Sequence, residues 1–575
     1  MQPAGSGLTG RLPRVPVAAV AAAVPALVIV GLLVTTLVMS VRAGTHDSSL
    51  TLDHYRRVWA DPFAYRALVN TFGYAFFALV TALVVGVPIA WLTERTDLPG
   101  RSVVWALMFL AILIPGFFTA MGWVFMFHPT IGVVNGWIRD AFGPDAPILN
   151  VASIPGMGIT AGLNLAVIVF VLTSASLRAM DASLEEAAAV CGAGLRARMR
   201  RITLPLAWPG VFAAMLFVVT AAISAVDGPL LIGLPNRIYV FSTYLIQQST
   251  TPGSGEARHG VIAAFSTFMV VLAIVLTVAY SRILARSHRY EVVAGRGYRP
   301  SVVRLGRWAV PAWLFIGVYF ALLKLAPLLL AVWTSLVPYF QPPSIDALGD
   351  VSLDNWRDLP WDLVQRTATN TVILTVVAPT ICIALALLLS WVIVRGRGAA
   401  RYALDATAFL PTAVPGLIFA YSARLAVLYF VHLPFGIELY GSLALLAIVF
   451  AVGSLGFATR LLNSSLMQIH RDLDDSARVA GATTGQVVRR VTLPLIRPTV
   501  AVGWLFMALL VFRDLSLPIL LGSADTMTLS MTIWTEWDQS EFGSAAALNL
   551  IMLVALLPLI AVYWKLTRGG RVQVL

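Results

Sequence analysis

Lysine is nearly missing from this chain: of its 40 basic residues only Lys324 and Lys565 are lysine, and the rest are arginine. A phosphate-cradling loop requires Gly-x-x-x-x-Gly-Lys-Ser/Thr. Neither lysine is followed by Ser or Thr, so the chain carries no ATP site of that kind. Cysteine is almost as scarce. Cys191 falls in a polar loop and Cys382 in an apolar run, which suggests neither a disulfide nor a metal site. The seven histidines are scattered without ligand spacing, so no metal centre is expected.

Charge of either sign is also thin, at 12% of residues against roughly 25% in a soluble domain. Too few charges remain to coat the surfaces of a water-soluble chain of 575 residues. Apolar residues take their place, at 59% of the chain, and the mean hydropathy is +0.84. Twelve apolar segments reach the roughly 20 residues a membrane span needs: 17–40, 69–92, 103–126, 158–178, 209–231, 260–281, 308–334, 370–394, 404–430, 439–459, 498–522 and 545–564. The expected fold is an all-α integral membrane protein of about 12 transmembrane helices. Arg11 and Arg14 precede the first segment as they would in a signal peptide. That segment exceeds an h-region of about 7–15 residues, so it reads as an uncleaved span.

The net charge of +12 raises nucleic acid as a partner, but the placement of the arginines answers otherwise. With the N-terminus in the cytoplasm, the cytoplasmic loops and tails hold 28 Lys and Arg and the outer loops hold 9. This asymmetry predicts cytoplasmic N- and C-termini, a lipid-bilayer environment and no nucleic acid. The basic linker 282–307 reads as an ordinary loop of that side.

One polar, arginine-rich stretch, Leu184 to Gly210, sits between two apolar segments and recurs from Leu473 at a shift of 289. The shift carries Glu186 to Asp475, Gly192 to Gly481, Arg200 and Arg201 to Arg489 and Arg490, Leu204-Pro205 to Leu493-Pro494, and Pro209 to Pro498. Earlier in each half the shift is 300: Asn70-Thr71 meets Asn370-Thr371, Arg95 meets Arg395, and Pro115-Gly116 meets Pro415-Gly416. The first half therefore holds 11 extra residues, most simply in its outer loop 127–157. Six spans per half is an even number, so the halves, 1–290 and 291–575, are two parallel six-helix repeats related by an axis along the membrane normal.

The loop itself, Glu186-Ala187-Ala188, then Gly192, then Ile202-Thr203-Leu204-Pro205, resembles the cytoplasmic signature of binding-protein-dependent ABC importer permeases. The second copy reads Asp475-Ser476-Ala477, Gly481 and Val491-Thr492-Leu493-Pro494. The resemblance covers essentially the whole chain. It implies a transport subunit, not an enzyme, in a bacterial inner membrane. Two copies of a separate ABC ATPase would dock on loops 178–208 and 460–497, and a soluble binding protein would deliver substrate outside. This chain would bind no cofactor, since ATP is used by the ATPase partner. Glu185, Glu186, Ala187, Ala188, Gly192, Leu204 and Pro205 would make one ATPase contact. Asp475, Ser476, Ala477, Gly481, Leu493 and Pro494 would make the other, altered by Asp for Glu and Ser for Ala. Fusion of two six-span halves resembles ferric-iron permeases first and thiamine permeases second, with polyamine and phosphonate systems further off. The alternative from another class is an ion-gradient-driven carrier with parallel repeats.

Charges inside the spans mark the expected pathway, because an ionised side chain at mid-bilayer is costly unless it faces a cavity or a partner. Asp227, Arg424, Arg513 and Asp514 are the residues so placed, whereas Lys324 reads as a snorkelling side chain. The outer loop 335–369, with Asp346, Asp350, Asp354, Asp358, Asp362, Trp356 and Trp361, is a docking element for the binding protein or else an ordinary solvated loop.

Overall fold

The computed structural model describes residues 17–44, 49–180, 183–250, 256–287, 303–396, 398, 400–431 and 438–568. Among these residues the chain is helical, without a named strand. The first half runs through α1 (Val17–Val41), α2 (Asp53–Ala60), α3 (Pro62–Arg95), α4 (Arg101–Leu113), α5 (Gly116–Phe127) and α6 (Val133–Phe142). It continues with α7 (Ile154–Ala179), α8 (Ser183–Val190), α9 (Leu195–Arg198), α10 (Leu204–Ser224), α11 (Phe241–Thr250) and α12 (Glu256–Ser287). The second half repeats the order, from α13 (Ala309–Phe320), α14 (Ala326–Ser335), α15 (Asp354–Arg357) and α16 (Trp361–Arg395) to α17 (Ala400–Ala413), α18 (Gly416–Tyr429) and α19 (Leu443–Gln468). Then come α20 (Arg471–Val479), α21 (Thr484–Val487), α22 (Leu493–Phe512), α23 (Pro518–Leu521), α24 (Leu529–Asp538) and α25 (Phe542–Arg568). Most of linker 282–307 lies outside the described residues.

Ten of these helical stretches are long and apolar enough to cross a membrane, and two bent pairs bring the number to 12. The bends are sharp: 94° between α4 and α5, and 105° between α17 and α18. Each falls at Pro115 or Pro415. Proline supplies no amide and pushes the preceding residue out of the helical region; Ile114 is extended, with ψ 132. Two further expected spans are shorter than their apolar runs. The run 209–231 leaves the helix after Ser224, and 498–522 leaves it after Phe512. Apolarity continues past both points, so hydropathy alone does not reveal these breaks. The 11 extra residues fall where α6 forms, a short helix pinned by Asn135, whose amide donates to the carbonyls of Phe127, His128 and Leu149.

The bundle is held by close helix contacts. Helices in a membrane gain little from apolar burial against one another and rely on tight packing through small residues. Between α3 and α7, a Cβ at Gly162 would meet Ala78 O at 2.5 Å, and one at Gly86 would meet Ala166 O at 2.6 Å. The first span of each half bridges the two halves: α1 packs on α12 and α14 on α25 within their own halves, and each also reaches across. α1 packs on α16, α17 and α18, while α13 and α14 pack against α3 and α5. Thr36 hydrogen-bonds Ser422, and the Tyr319 hydroxyl donates to Leu163 O at 2.9 Å.

Replacing Gly162 by Ala must push two backbones apart, at a cost of about 1–3 kcal/mol. A lowered unfolding temperature of the detergent-solubilised protein is expected, with little change for Gly136→Ala, whose Cβ would meet nothing within 4 Å.

Candidate functional site

The two copies of the polar loop fold alike. In the first, α8 ends at Val190 and the chain turns through Gly192 at φ +81, a left-handed conformation that favours glycine. Ala193 N donates back to Ala188 O at 2.9 Å. In the second, Gly481 has φ +86 and Ala482 N donates to Ala477 O at 3.0 Å. A short helix, a π-turn and the Leu204-Pro205 or Leu493-Pro494 start of the next span follow in each copy.

The adjacent acids divide into an inward and an outward pair. Glu185 is buried: its carboxylate lies 3.6 Å from the Arg95 guanidinium and accepts from Thr203 Oγ1 at 2.6 Å. Arg95 also donates to the carbonyls of Leu177 and Met180, which end α7. The second half repeats the arrangement. Arg395 pairs with Asp474 at 2.8 Å and donates to Ile469 O, and Thr492 donates to Asp474 at 3.5 Å. Glu185 is therefore not part of a docking surface with Glu186. It fastens the loop to the foot of α3, as Asp474 does to the foot of α16. Removing one member of such a buried pair costs about 3–5 kcal/mol, because the other charge stays behind.

Glu186 and Asp475 point into solvent, as do Ala187 and Ser476, with Ala188 and Ala477 half-buried behind them. At the tips, Val190 is 89% exposed and Val479 is 90% exposed. The sequence reading missed these two valines, yet the shift of 289 that relates the loops relates them too. Leu204, Pro205 and Pro494 are exposed, and Leu493 is half-buried. The copies differ at one point: Asp475 has Arg478 beside it at 3.8 Å, where the first copy has Ala189.

Within the bundle, the structure brings Asp227, Arg513 and Asp514 together at the ends of α10 and α22. They lie beyond the helices, in the breaks. Arg513 Nη1 donates to Ile112 O at 2.6 Å and Ile114 O at 3.1 Å, in the opposite half. Asp514 accepts from Leu517 N at 3.0 Å, and Asp227 Oδ2 lies against Gly116. All three stay partly accessible. Lys324 does not snorkel. It sits on a π-turn between α13 and α14, and its Nζ donates to Thr119 Oγ1 at 3.1 Å and Asn164 Oδ1 at 3.2 Å. Arg424 lies instead on α18, over the ring of Tyr440 at 5.6 Å.

The repeated Asn-Thr dipeptide acquires a role that its spacing left unread. Thr71 Oγ1 accepts from Phe241 N at 2.8 Å, and Thr371 Oγ1 accepts from Leu529 N at 2.9 Å, capping α11 and α24. Asn70 donates to Tyr239 O, and Asn370 to the carbonyls of Asp525 and Met527. Ser242 and Ser530 then donate to the carbonyls of Ala225 and Asp514. Each helix is thereby tied both to its long span and to the break. On the same side, the five aspartates of loop 335–369 are exposed, as is Trp361.

The family of binding-protein-dependent transport system inner membrane components matches residues 84–290 and 382–567. An Fe(3+)-transport system permease protein of Haemophilus influenzae is 22% identical over 491 residues, covering 85% of this chain and 87% of that protein. A ferric transport system permease protein of Actinobacillus pleuropneumoniae is 22% identical over 522 residues, covering 88% and 71%. Among solved structures, a chain of a bacterial ABC transporter that imports alginate is 20% identical, covering 41% of this chain and 84% of its own, with a TM-score of 0.35. Two family matches, one per half, on a multi-pass helical bundle with the loop built twice lead to one assignment: the chain belongs to the binding-protein-dependent transport system inner membrane components and is a fused ABC importer permease, a transport subunit that works with an ATPase and a binding protein.

Proposed function

We propose that this permease carries ferric iron across a bacterial inner membrane, with its arginine-rich side and both termini in the cytoplasm. The observation that carries the coupling part is the twice-built loop. Glu186 with Val190, and Asp475 with Val479, stand exposed on knobs that Arg95–Glu185 and Arg395–Asp474 fix to the bundle. One ATPase subunit docks on each knob, its groove supplying a base for the acid and an apolar socket for the valine. Closure of the ATPase pair on ATP pulls the knobs, and the buried ion pairs pass that displacement to α3 and α16. This chain needs no cofactor of its own for the step.

For cargo, support comes from the names of the two long-matching relatives. The neighbouring carboxylates Asp227 and Asp514 add to it, since hard cations take oxygen ligands. Two carboxylates are too few to trap the ion, which suits a path that must release it. The binding protein docks on the opposite side, with the exposed aspartates of loop 335–369 as one of its footholds. An ion-gradient-driven carrier leaves the repeated loop without a purpose.

In proteoliposomes holding the permease, its ATPase and an iron-loaded binding protein, radiolabelled ferric iron should accumulate only with ATP. Uptake of thiamine or spermidine under the same conditions, and not of iron, would reassign the cargo. Glu186→Lys and Gly481→Asp should insert normally yet abolish uptake and substrate-stimulated ATP hydrolysis; normal stimulation in both would count decisively against coupling at these loops. Arg95→Ala should retain the ATPase but lose about ten-fold or more in stimulated hydrolysis, through loss of a buried ion pair.

A further inference from the structure

We infer that Arg513 is the bolt between the two halves, a positioning residue that holds the pathway shut at the level of the breaks. The inference rests on the transport reading above. Breaking a span inside a membrane leaves two sets of backbone groups unpaired: carbonyls at the end of the first segment and amides at the start of the second. Those ends carry opposite partial charge. At the α4–α5 break both are answered by side chains. The Arg513 guanidinium, from the second half, donates to Ile112 O and Ile114 O at the end of α4. The Asp227 carboxylate lies against Gly116 at the start of α5, so closely that a Cβ there would collide with Oδ2. Arg513 also feels the charges of Asp227 and Asp514. One cation thus ties the broken span of one half to the end of α22 in the other.

Among the described residues, the equivalent break has no such tie. Shifting Arg513 back by 289 gives Ser224, whose hydroxyl donates to Thr220 O at 2.8 Å within its own helix. At the α17–α18 break, a Cβ on Gly416 would meet nothing within 4 Å. Among the described residues the bolt is single and asymmetric. A guanidinium is suited to it, because its planar fork presents several donors at once, whereas an ammonium is a point charge. Opening the pathway at this level separates α22 from α4 and withdraws Arg513 from both carbonyls. A cationic cargo arriving beside Asp227 and Asp514 then stands where the guanidinium charge was.

The test uses the full permease assembled with its ATPase subunits in lipid nanodiscs, and reads ATP hydrolysis with and without the loaded binding protein. With the bolt removed, Arg513→Ala should raise basal hydrolysis about ten-fold, the loss expected for hydrogen bonds to a charged group, and should blunt further stimulation. Arg513→Lys, which keeps the charge but not the fork, should fall between Ala and wild type. It carries the test alone if the Ala variant does not assemble. Wild-type basal rates in the assembled variants overturn the inference. So does a fall in stimulated hydrolysis without a basal rise, which would mark a merely structural residue. A wild-type complex that shows no ATP-dependent uptake at all rejects the transport reading instead, and that result is read without any variant.

Discussion

A backbone amide or carbonyl left unpaired within a membrane costs several kcal/mol, and this constraint governs the interior of the protein. Both halves break their third span at a Pro-Gly pair and end their fifth span before its apolar run is finished. Each break creates orphan groups, and at the α4–α5 break and at the ends of α10 and α22 specific side chains answer them. Thr71 and Thr371 accept from the first amides of α11 and α24, while Ser242 and Ser530 donate to carbonyls at the ends of the fifth spans. Arg513 serves the end of α4. A pathway needs irregular backbone to present polar groups, and these side chains make such backbone tolerable in an apolar solvent.

Toward the arginine-rich side, a different economy holds. There the chain turns through water, and glycine suffices to reverse it at Gly192 and Gly481. What protrudes there is the knob, and a buried arginine–carboxylate pair fastens it to the bundle in both halves. The knob is built nearly alike twice, and its tips are not. Asp475 has a neighbouring arginine to engage and a shorter reach, whereas Glu186 has the longer side chain and an alanine in that place. Symmetric anchoring with unequal tips places the difference between the two loops at the surface, where it costs the fold little.

Much of this was legible in the sequence. Hydropathy located the ten long spans and the two bent pairs found among the described residues because each is apolar over its length, and the shifts of 289 and 300 paired the halves because both solve the same packing problem. The loops were legible for the same reason. Among the features that were not, three have a physical cause. Which of Glu185 and Glu186 faces outward depends on helical phase relative to Arg95, which is distant in the chain. The early ends of α10 and α22 leave no hydropathy trace, since the residues after them are apolar too. Lys324 looked like a snorkelling side chain because its partners, Thr119 and Asn164, are uncharged and lie in the other half. Polar neutral partners of this kind do not announce themselves in a single sequence.

The bridging by the first spans sets how the chain behaves as a material. α1 packs on α12 of its own half and on α16, α17 and α18 of the second, and α14 packs on α25 of its own half and on α5 of the first, so the first spans stitch the two halves together. Each half therefore meets the other through its first span, as subunits of an oligomer meet at an interface. Fusing the halves makes that partner permanently present, so assembly no longer depends on how much of each half the cell makes. During synthesis the contacts of α1 with α16, α17 and α18 can form only once the second half has been inserted. Its quality control is then a single event, in which the bundle closes as a whole or is left with two open seams.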